Sequence, residues 1–378
     1  MSLRPTHAVI DLKALKHNYH EAAKRIPKNC GILCMVKADA YGHGAVPVAK
    51  VFETCGAVCL GVATAEEGIE LRDAGIKIQI LVMGGLWGAG MDAAEAMLAN
   101  CLTPVVHSAG VIDLLESLGK TTDKKIAIHL KMDTGMSRLG VTKQALPHLL
   151  ERLKSSPHLK LEGVMTHLAW RQNAEYTKQQ AELFKEMGEQ IMETLGAIPV
   201  WHIANSAAVM EGEPIQIGRA EKCWVRPGIM LYGIPPYPEF CTKADLQPVM
   251  SLASKVALIK HLPPGTKVSY NCTFTTTRPS RIGVIPIGYA DGYPWSLANK
   301  GEVLVCGSRC PVLGRVTMDM IMVDLTDLPS AAVGSDVVLL GQQGDQEMSA
   351  DALAKCAGTI PYEIVCGISK RMPRVYRE

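Results

Sequence analysis

Polar side chains able to do chemistry stand at the ends of short apolar runs in this sequence. Lys37 closes GILCMVK, Lys131 and Asp133 close KIAIHLKMD with Arg138 just beyond, and His167 closes LEGVMTH. Asn205 ends VWHIAN and is followed by Ser206, while Arg226, Gly228 and Ile229 fall within KCWVRPGIM. Taken singly each has a plain reading: a lysine ending a strand is usually solvated, and an isolated histidine is more often a satisfied polar group than a catalyst. A lysine desolvated among apolar walls is different, because its ammonium form is disfavoured and the free amine can condense with an aldehyde. Ser206 and the amides of Gly228 and Ile229 suit a phosphate, which barrels commonly bind with backbone N–H groups and a hydroxyl. An aldehyde-capturing lysine facing a phosphate cradle points to pyridoxal 5'-phosphate.

These residues can act together only if one architecture gathers the ends of their runs. Eight β-branched or continuously apolar runs cover 31–37, 58–63, 78–84, 102–107, 125–133, 161–167, 200–205 and 222–230. Continuous apolar runs predict strands buried on both faces, and the segments between them have helical spacing, as with Phe184, Met187, Ile191 and Leu195. Eight such units predict a (β/α)8 TIM-type barrel, with a doubly wound open sheet as the alternative, since counting strands does not show closure. In a barrel every residue named above lies at the carboxyl rim, where barrel active sites are built. From about residue 245 short strand-like runs alternate with Gly and Pro, which predicts a mostly β C-terminal domain. The expected division is 1–240 and 241–378, with residues 1–12, which include the strand-like AVIDL, pairing with the second domain.

Composition agrees. The chain has 378 residues, 48% of them apolar, more than one core usually holds. A net charge of +2 and 5% aromatic residues provide neither a basic stripe nor stacking platforms, so no nucleic-acid partner is expected. No stretch has the length and apolarity of a membrane span and the N-terminus is too charged for a signal peptide, so the expected location is cytoplasmic. The 12 cysteines are too sparse for a disulfide scaffold. Several (Cys34, Cys59, Cys306) sit in apolar runs, and all are read as reduced core residues. No metal site is expected from their spacing.

The segments AVIDLKALKHNY and MVKADAYGHG resemble the N-terminus and cofactor-lysine motif of the alanine racemases. The likeness continues through KMDTGMSRLG (131–140), THLA (166–169), HIANSAA (202–208), RPGIMLYG (226–233), VSY (268–270), IGYADGYP (287–294), GRVTMDMIMVD (314–324) and TIPYEIVCGISKRMPRVY (359–376). The resemblance implies racemisation of alanine for peptidoglycan supply by a head-to-tail homodimer whose sites borrow residues from the partner's β domain. It implies that Lys37 carries the cofactor and that Tyr270, from the other subunit, is the second base. Tyr41, His167, Asn205, Ser206, Gly228, Ile229 and Tyr362 would surround phosphate and ring, with Arg226 facing the pyridine nitrogen. Arg138 and Met318 would receive the substrate carboxylate, with Tyr289 and Asp319 nearby, and Lys131 matches a position carbamylated in some members.

Racemisation needs a proton removed from one face of Cα and another delivered to the opposite face, so two acid–base groups must flank a planar centre. Lys37 and Tyr270 suit that task, and His167 and Arg226 are candidates for the positive neighbours a tyrosine base requires. A guanidinium has no acceptor and does not readily give up its proton, so Arg226 favours an unprotonated pyridine nitrogen and a weak electron sink, against transamination or decarboxylation. A decarboxylase of similar layout would be expected to place an acid there, and a non-catalytic cofactor carrier would need neither Tyr270 nor the β domain. A serine or broad-specificity racemase would share every catalytic residue. Three places depart from the family pattern: Asn271-Cys272 where glycine usually follows the tyrosine, Trp170-Arg171-Gln172 where an acidic stretch is usual, and Trp295 where arginine is common. The last two border the substrate corridor, so a differently gated corridor is expected.

Overall fold

The computed structural model describes residues 3–88, 90–212 and 222–378. Strand β1 (His7–Asp11) comes first, and the next eight strands, β2 (Cys30–Met35), β3 (Cys59–Val62), β4 (Gln79–Val82), β5 (Thr103–Val106), β6 (Ile126–Lys131), β7 (Leu159–Met165), β8 (Val200–Asn205) and β9 (Lys222–Arg226), close into a parallel barrel. Closure is made by β9 against β2, in the register Cys30↔Cys223, Gly31↔Trp224 and Ile32↔Val225, which excludes the open sheet.

Helices cover the barrel: α1 (Leu12–Ala23), the short α2 (Lys37–Tyr41), α3 (Ala45–Cys55), α4 (Ala65–Asp73), α5 (Gly90–Ala99), α6 (Ala109–Thr122), α7 (Leu146–Lys154), α8 (Ala174–Leu195) and α9 (Ser206–Met210). Helix α8 shows why the spacing works: Asn173 caps it by accepting the Tyr176 N–H, and Phe184, Met187 and Ile191 face inward. Gly188 lets the helix approach Trp201, whose indole would lie 1.9 Å from any Cβ placed there. Low in the barrel the filling is not only aliphatic. His129 Nδ1 and His202 Nε2 are 2.8 Å apart, with the Trp224 ring stacked on His129, and both imidazoles are buried.

The second domain is mostly β: β10 (Met250–Lys255), β11 (Leu258–Leu262), β12 (Lys267–Val268), β13 (Phe274–Thr275), β14 (Ser280–Ile285), β15 (Glu302–Val305), β16 (Ser308–Leu313), β17 (Ile321–Asp324), β18 (Asp336–Gln343), β19 (Gln346–Met348) and β20 (Arg374–Arg377), with α10 (Ala350–Ala357) and α11 (Pro361–Cys366). Its main sheet runs β11-β14-β17-β16-β15-β18-β10-β1-β20. The N-terminal strand β1 thus belongs to this sheet, antiparallel to β10 and parallel to β20. The sheet brings the chain's two ends together beside the barrel.

The cysteines correct the expectation of uniformly reduced core thiols. Cys30 and Cys223 form a disulfide across the closing seam, with Cα atoms 4.6 Å apart, because β2 and β9 meet in that register. Cys34 and Cys59 are buried and free, but Cys306 is exposed. It pairs with Gly307 in a two-residue hairpin between β15 and β16, both at positive φ (48° and 75°), so the apolar run ends in a turn rather than in the core. The disulfide spans 193 residues of sequence, a constraint worth about 5 kcal/mol on the unfolded chain in the entropy account. Titration of unreduced protein should therefore find ten free thiols out of twelve, and Cys30→Ser should lower the thermal midpoint by several degrees. Twelve thiols without reductant would contradict the pairing.

Candidate active site

A cavity of about 1060 Å³ opens at the carboxyl rim of the barrel. It is lined by Lys37, Tyr41, Lys131, Arg138, His167, Asn205, Ser206, Arg226, Gly228 and Ile229, which the barrel's separate strand ends and the segments after them deliver to one place, and by Tyr362 of α11 in the second domain. Asp351 is the one carboxylate among the described lining residues, so the cavity is strongly cationic. Burial pulls the Lys37 amine below its usual value, Arg138 adds to that, and Glu67 and Cys366 oppose it. Lys131 is pushed down to about 8 by burial, then by Arg226 and Arg138.

Arg226 is buried and donates from Nη1 to His202 O at 2.6 Å and from Nη2 to the carbonyls of Thr166 and Ile203. Burial lowers it to about 9, which leaves it protonated at pH 7. His167 differs from expectation. Burial, with Arg226, Lys131 and Arg138, pushes it down to about 3, so within the subunit it is a neutral imidazole and not a positive neighbour for a tyrosine.

The backbone after Lys37 is unusual. Ala38, Asp39, Ala40 and Tyr41 all have φ between 52° and 55°, so α2 is a left-handed turn built without glycine. Each such residue costs about 1–2 kcal/mol, and consecutive ones persist only where surroundings hold them. Glu67 provides one hold: its carboxylate accepts the N–H of Ala38 at 2.7 Å and that of Ala63, at the end of β3, at 2.6 Å. Asp39 Oδ1 accepts the Ala45 N–H at 2.7 Å and starts α3. The turn brings Tyr41 over Tyr232, with ring centroids 4.9 Å apart, and toward Tyr362 at 6.2 Å.

Ser206 Oγ accepts the Gly228 N–H at 2.8 Å, and a Cβ on Gly228 would lie 2.4 Å from the Tyr41 hydroxyl. A phenol, a serine hydroxyl and backbone N–H groups thus converge where only glycine fits, a cradle suited to a phosphate. Gly228→Ala should weaken pyridoxal phosphate binding about tenfold or more by displacing the Tyr41 hydroxyl. Titration of cofactor absorbance checks this, and unchanged affinity would remove the cradle from the account.

Four expected residues lie outside this cavity. Tyr270 is 70% exposed, and Tyr289, Met318 and Asp319 are also exposed, all on the second domain. Tyr270 sits between β12 and β13, in a turn where Ser269, Asn271 and Cys272 have positive φ. Asn271 stands where glycine is usual, and asparagine is among the side chains that accept this region, so the departure leaves the turn formed. Ser269 Oγ donates to Arg315 O at 2.8 Å, and the Arg315 guanidinium lies 4.5 Å from the Trp295 ring centre. Arg371 joins Asp319 to the buried Asp291, which also receives Arg4. Among the corridor departures, Arg171 is buried and paired with Glu211, Gln172 donates to Glu239, and Trp170 is exposed.

The sequence reading missed Trp87, Tyr237 and Cys366 on the cavity wall. Trp87 lies on the loop after β4, where its Nε1 donates to Ala63 O at 3.3 Å. The glycines around it mark a loop without saying what the loop faces, whereas Cys366 falls inside a motif already singled out.

Such a mouth, cationic and lysine-bearing on a barrel that leads into a β domain, defines a barrel enzyme of the pyridoxal phosphate class. Models of the alanine racemase N-terminal and C-terminal domains match residues 10–236 and 249–376. An alanine racemase from Halothermothrix orenii is 41% identical over 99% of this chain and 97% of its own length. The alanine racemase from Bacillus anthracis with bound L-Ala-P superposes with a TM-score of 0.91 at 36% identity, over 100% of this chain and 96% of that one. That from Bartonella henselae, with covalently bound pyridoxal phosphate, gives 0.84 at 30% identity over 99% of each chain. The chain belongs to the alanine racemase family.

Proposed function

We propose that this protein interconverts L- and D-alanine with pyridoxal phosphate held at Lys37, and that a second copy, docked head to tail, supplies Tyr270 to complete the site. The observation that carries the reading is the buried Lys37 amine, disfavoured as ammonium, in one cavity with the Ser206–Gly228–Tyr41 cradle. Tyr41, Ser206, Gly228 and Ile229 would hold the phosphate, with Asn205, His167 and Tyr362 around the ring and Arg226 at the pyridine nitrogen. Bound there, the cofactor supplies an aldehyde for the substrate amine and a ring that takes up the electron pair left at Cα. Lys37 Nζ takes or returns the Cα proton on one face, and the partner's Tyr270 does so on the other. Arg138 and the Met318 amide orient the substrate carboxylate, with Tyr289 and Asp319 nearby, and Lys131 is a candidate for carbamylation. Exposure of Tyr270, Tyr289 and Met318, outside the lining of their own subunit's cavity, supports the dimer. Production of D-alanine for peptidoglycan is the role this activity suits, and the cytoplasm is the location that goes with it, where the Cys30–Cys223 pair would be kept reduced and its bond would form once the protein meets oxidant. No helix among the described residues is long and apolar enough to cross a membrane.

The test is the optical rotation of L-alanine incubated with protein and pyridoxal phosphate. Decay to zero is expected, and a constant signal would overturn the reading. Trp170, Arg171 and Trp295 give a specific reason to weigh serine and broad-specificity racemisation, because Arg171 is engaged by Glu211 and Trp295 by Arg315. Parallel incubations decide it: serine and lysine turned over no better than about one-hundredth as fast as alanine would exclude the broader range.

A further inference from the structure

The left-handed turn after Lys37 is held by more than its own sequence. His43 is fully buried, and its Nδ1 lies 3.0 Å from Ala40 O and 2.9 Å from Tyr41 O. Carbonyl oxygens only accept, so Nδ1 carries the proton and donates to both; Ala40 O also accepts the His43 backbone N–H at 3.1 Å, so the ring matters most for Tyr41 O. The His43 ring packs on Tyr232 at 4.5 Å, and the Tyr232 hydroxyl donates to Met35 O at the end of β2, 2.8 Å away. Gly42 N–H donates to Ala38 O, and Gly44 N–H to Asp39 O, both at 2.9 Å.

The next carbonyl is held by the other domain. Arg374, on β20, donates from Nε and Nη2 to Gly42 O at 3.2 and 3.1 Å. The same guanidinium donates to Ile368 O, Ser369 O and Met372 O at 2.6–2.8 Å. Those carbonyls follow α11, the helix that carries Tyr362 and Cys366 on the cavity wall. Contact is close enough that a Cβ on Gly42 would lie 2.2 Å from Val365 O and one on Gly44 1.9 Å from the Tyr376 hydroxyl.

We propose that His43 and Arg374 are positioning residues for Lys37: they fix the carbonyls of the left-handed turn, so that the subunit's own second domain sets the pose of the lysine amine. The proposal rests on the reading that Lys37 captures pyridoxal phosphate. Every carbonyl from Ala38 to Gly42 has a donor, and a turn of non-glycine residues in this region relaxes toward ordinary backbone when its donors are removed. Arg374 is suited to the task because a planar fork satisfies several carbonyls at once, which a lysine ammonium on a flexible stem does not.

The test uses holoenzyme and hydroxylamine, which attacks the cofactor's bond to the lysine, and follows loss of the cofactor's visible absorbance. His43→Leu and Arg374→Met should lose it about tenfold faster than wild type, the factor expected for one buried carbonyl deprived of its donor, Tyr41 O in the first and Gly42 O in the second. His43→Asn, whose carboxamide N–H can replace Nδ1–H, should stay within about twofold of wild type. For His43→Leu, kcat for alanine should fall with KM unchanged. A purely packing role predicts instead that asparagine fails as badly as leucine, because both lose the ring against Tyr232, and that result would overturn the proposal. Wild-type rates for His43→Leu and Arg374→Met would overturn it too. Borohydride reduction of wild type followed by peptide mass analysis separates the two levels: an unmodified Lys37 peptide would sink the cofactor reading and the proposal with it, whereas a modified peptide leaves the variants to decide.

Discussion

Tyr270→Phe should lower kcat for alanine by about 10²–10⁴-fold, the usual worth of a positioned acid–base group, while leaving cofactor binding and thermal stability as they are. The separation of effects follows from placement. Tyr270 is largely solvent-exposed on its own subunit and outside the cavity that holds Lys37, so losing one hydroxyl there removes no core contact and changes stability by no more than about 0.5 kcal/mol. Lys37→Ala should abolish the activity to at least the same degree, but with loss of covalent cofactor, because its amine is the group at the cavity wall. Spectra, melting curves and alanine rates on the two variants check both halves. A Tyr270→Phe protein with wild-type kcat would remove the second base from the account.

Acid should begin to destabilise this protein near about pH 6.5, before its carboxylates titrate. Burial pushes His43 down to about 4, and His129 and His167 to about 3, and holds His202 well below its usual value. For His129, His167 and His202 the Arg226 guanidinium adds to burial. Each folded value lies below the unfolded value near 6.5, so the unfolded chain binds these protons first. Stability present above about pH 6.5 is therefore lost as pH falls through the window down to about 3–4. Each histidine contributes a slope of up to about 1.4 kcal/mol per pH unit, and four together about 5 kcal/mol per unit, enough to consume an ordinary stability of about 5–15 kcal/mol within two or three units. Thermal midpoints at pH 7, 6 and 5 should fall steeply. A flat profile down to about pH 4.5 would show that these imidazoles protonate in the folded state without penalty.

Much of the fold was legible because parallel barrel strands are buried on both faces and read as unbroken apolar runs, as CLGV in β3 does. The same runs pointed to the candidate cavity, since a polar residue that ends such a strand must lie at the rim. Closure was not legible, because the β9–β2 register is a fact of three dimensions, and neither was the disulfide that depends on it. Nor was the handedness of the lysine turn. Lys-Ala-Asp-Ala-Tyr contains helix formers and gives no sign of left-handed backbone apart from the glycines at 42 and 44, because the conformation is held by Glu67 and Arg374 from other parts of the chain and by the side chain of nearby His43 folding back on the turn. His167 was legible as a site residue but not as a neutral one, since its charge state depends on how much water and how many cations the fold leaves around it.

The central claim is that a complete site joins Lys37 of one copy to Tyr270 of another. Mixing Lys37→Ala and Tyr270→Phe proteins under conditions that exchange subunits tests it most directly. Each homodimer is defective at both sites, but a mixed dimer has one site that lacks both groups and one that has both. Alanine racemisation should rise from near zero to about a quarter of the wild-type rate at equal mixing, because half the dimers are mixed and half their sites are intact. A mixture no more active than its components, with subunit exchange verified by mass, would contradict the shared site.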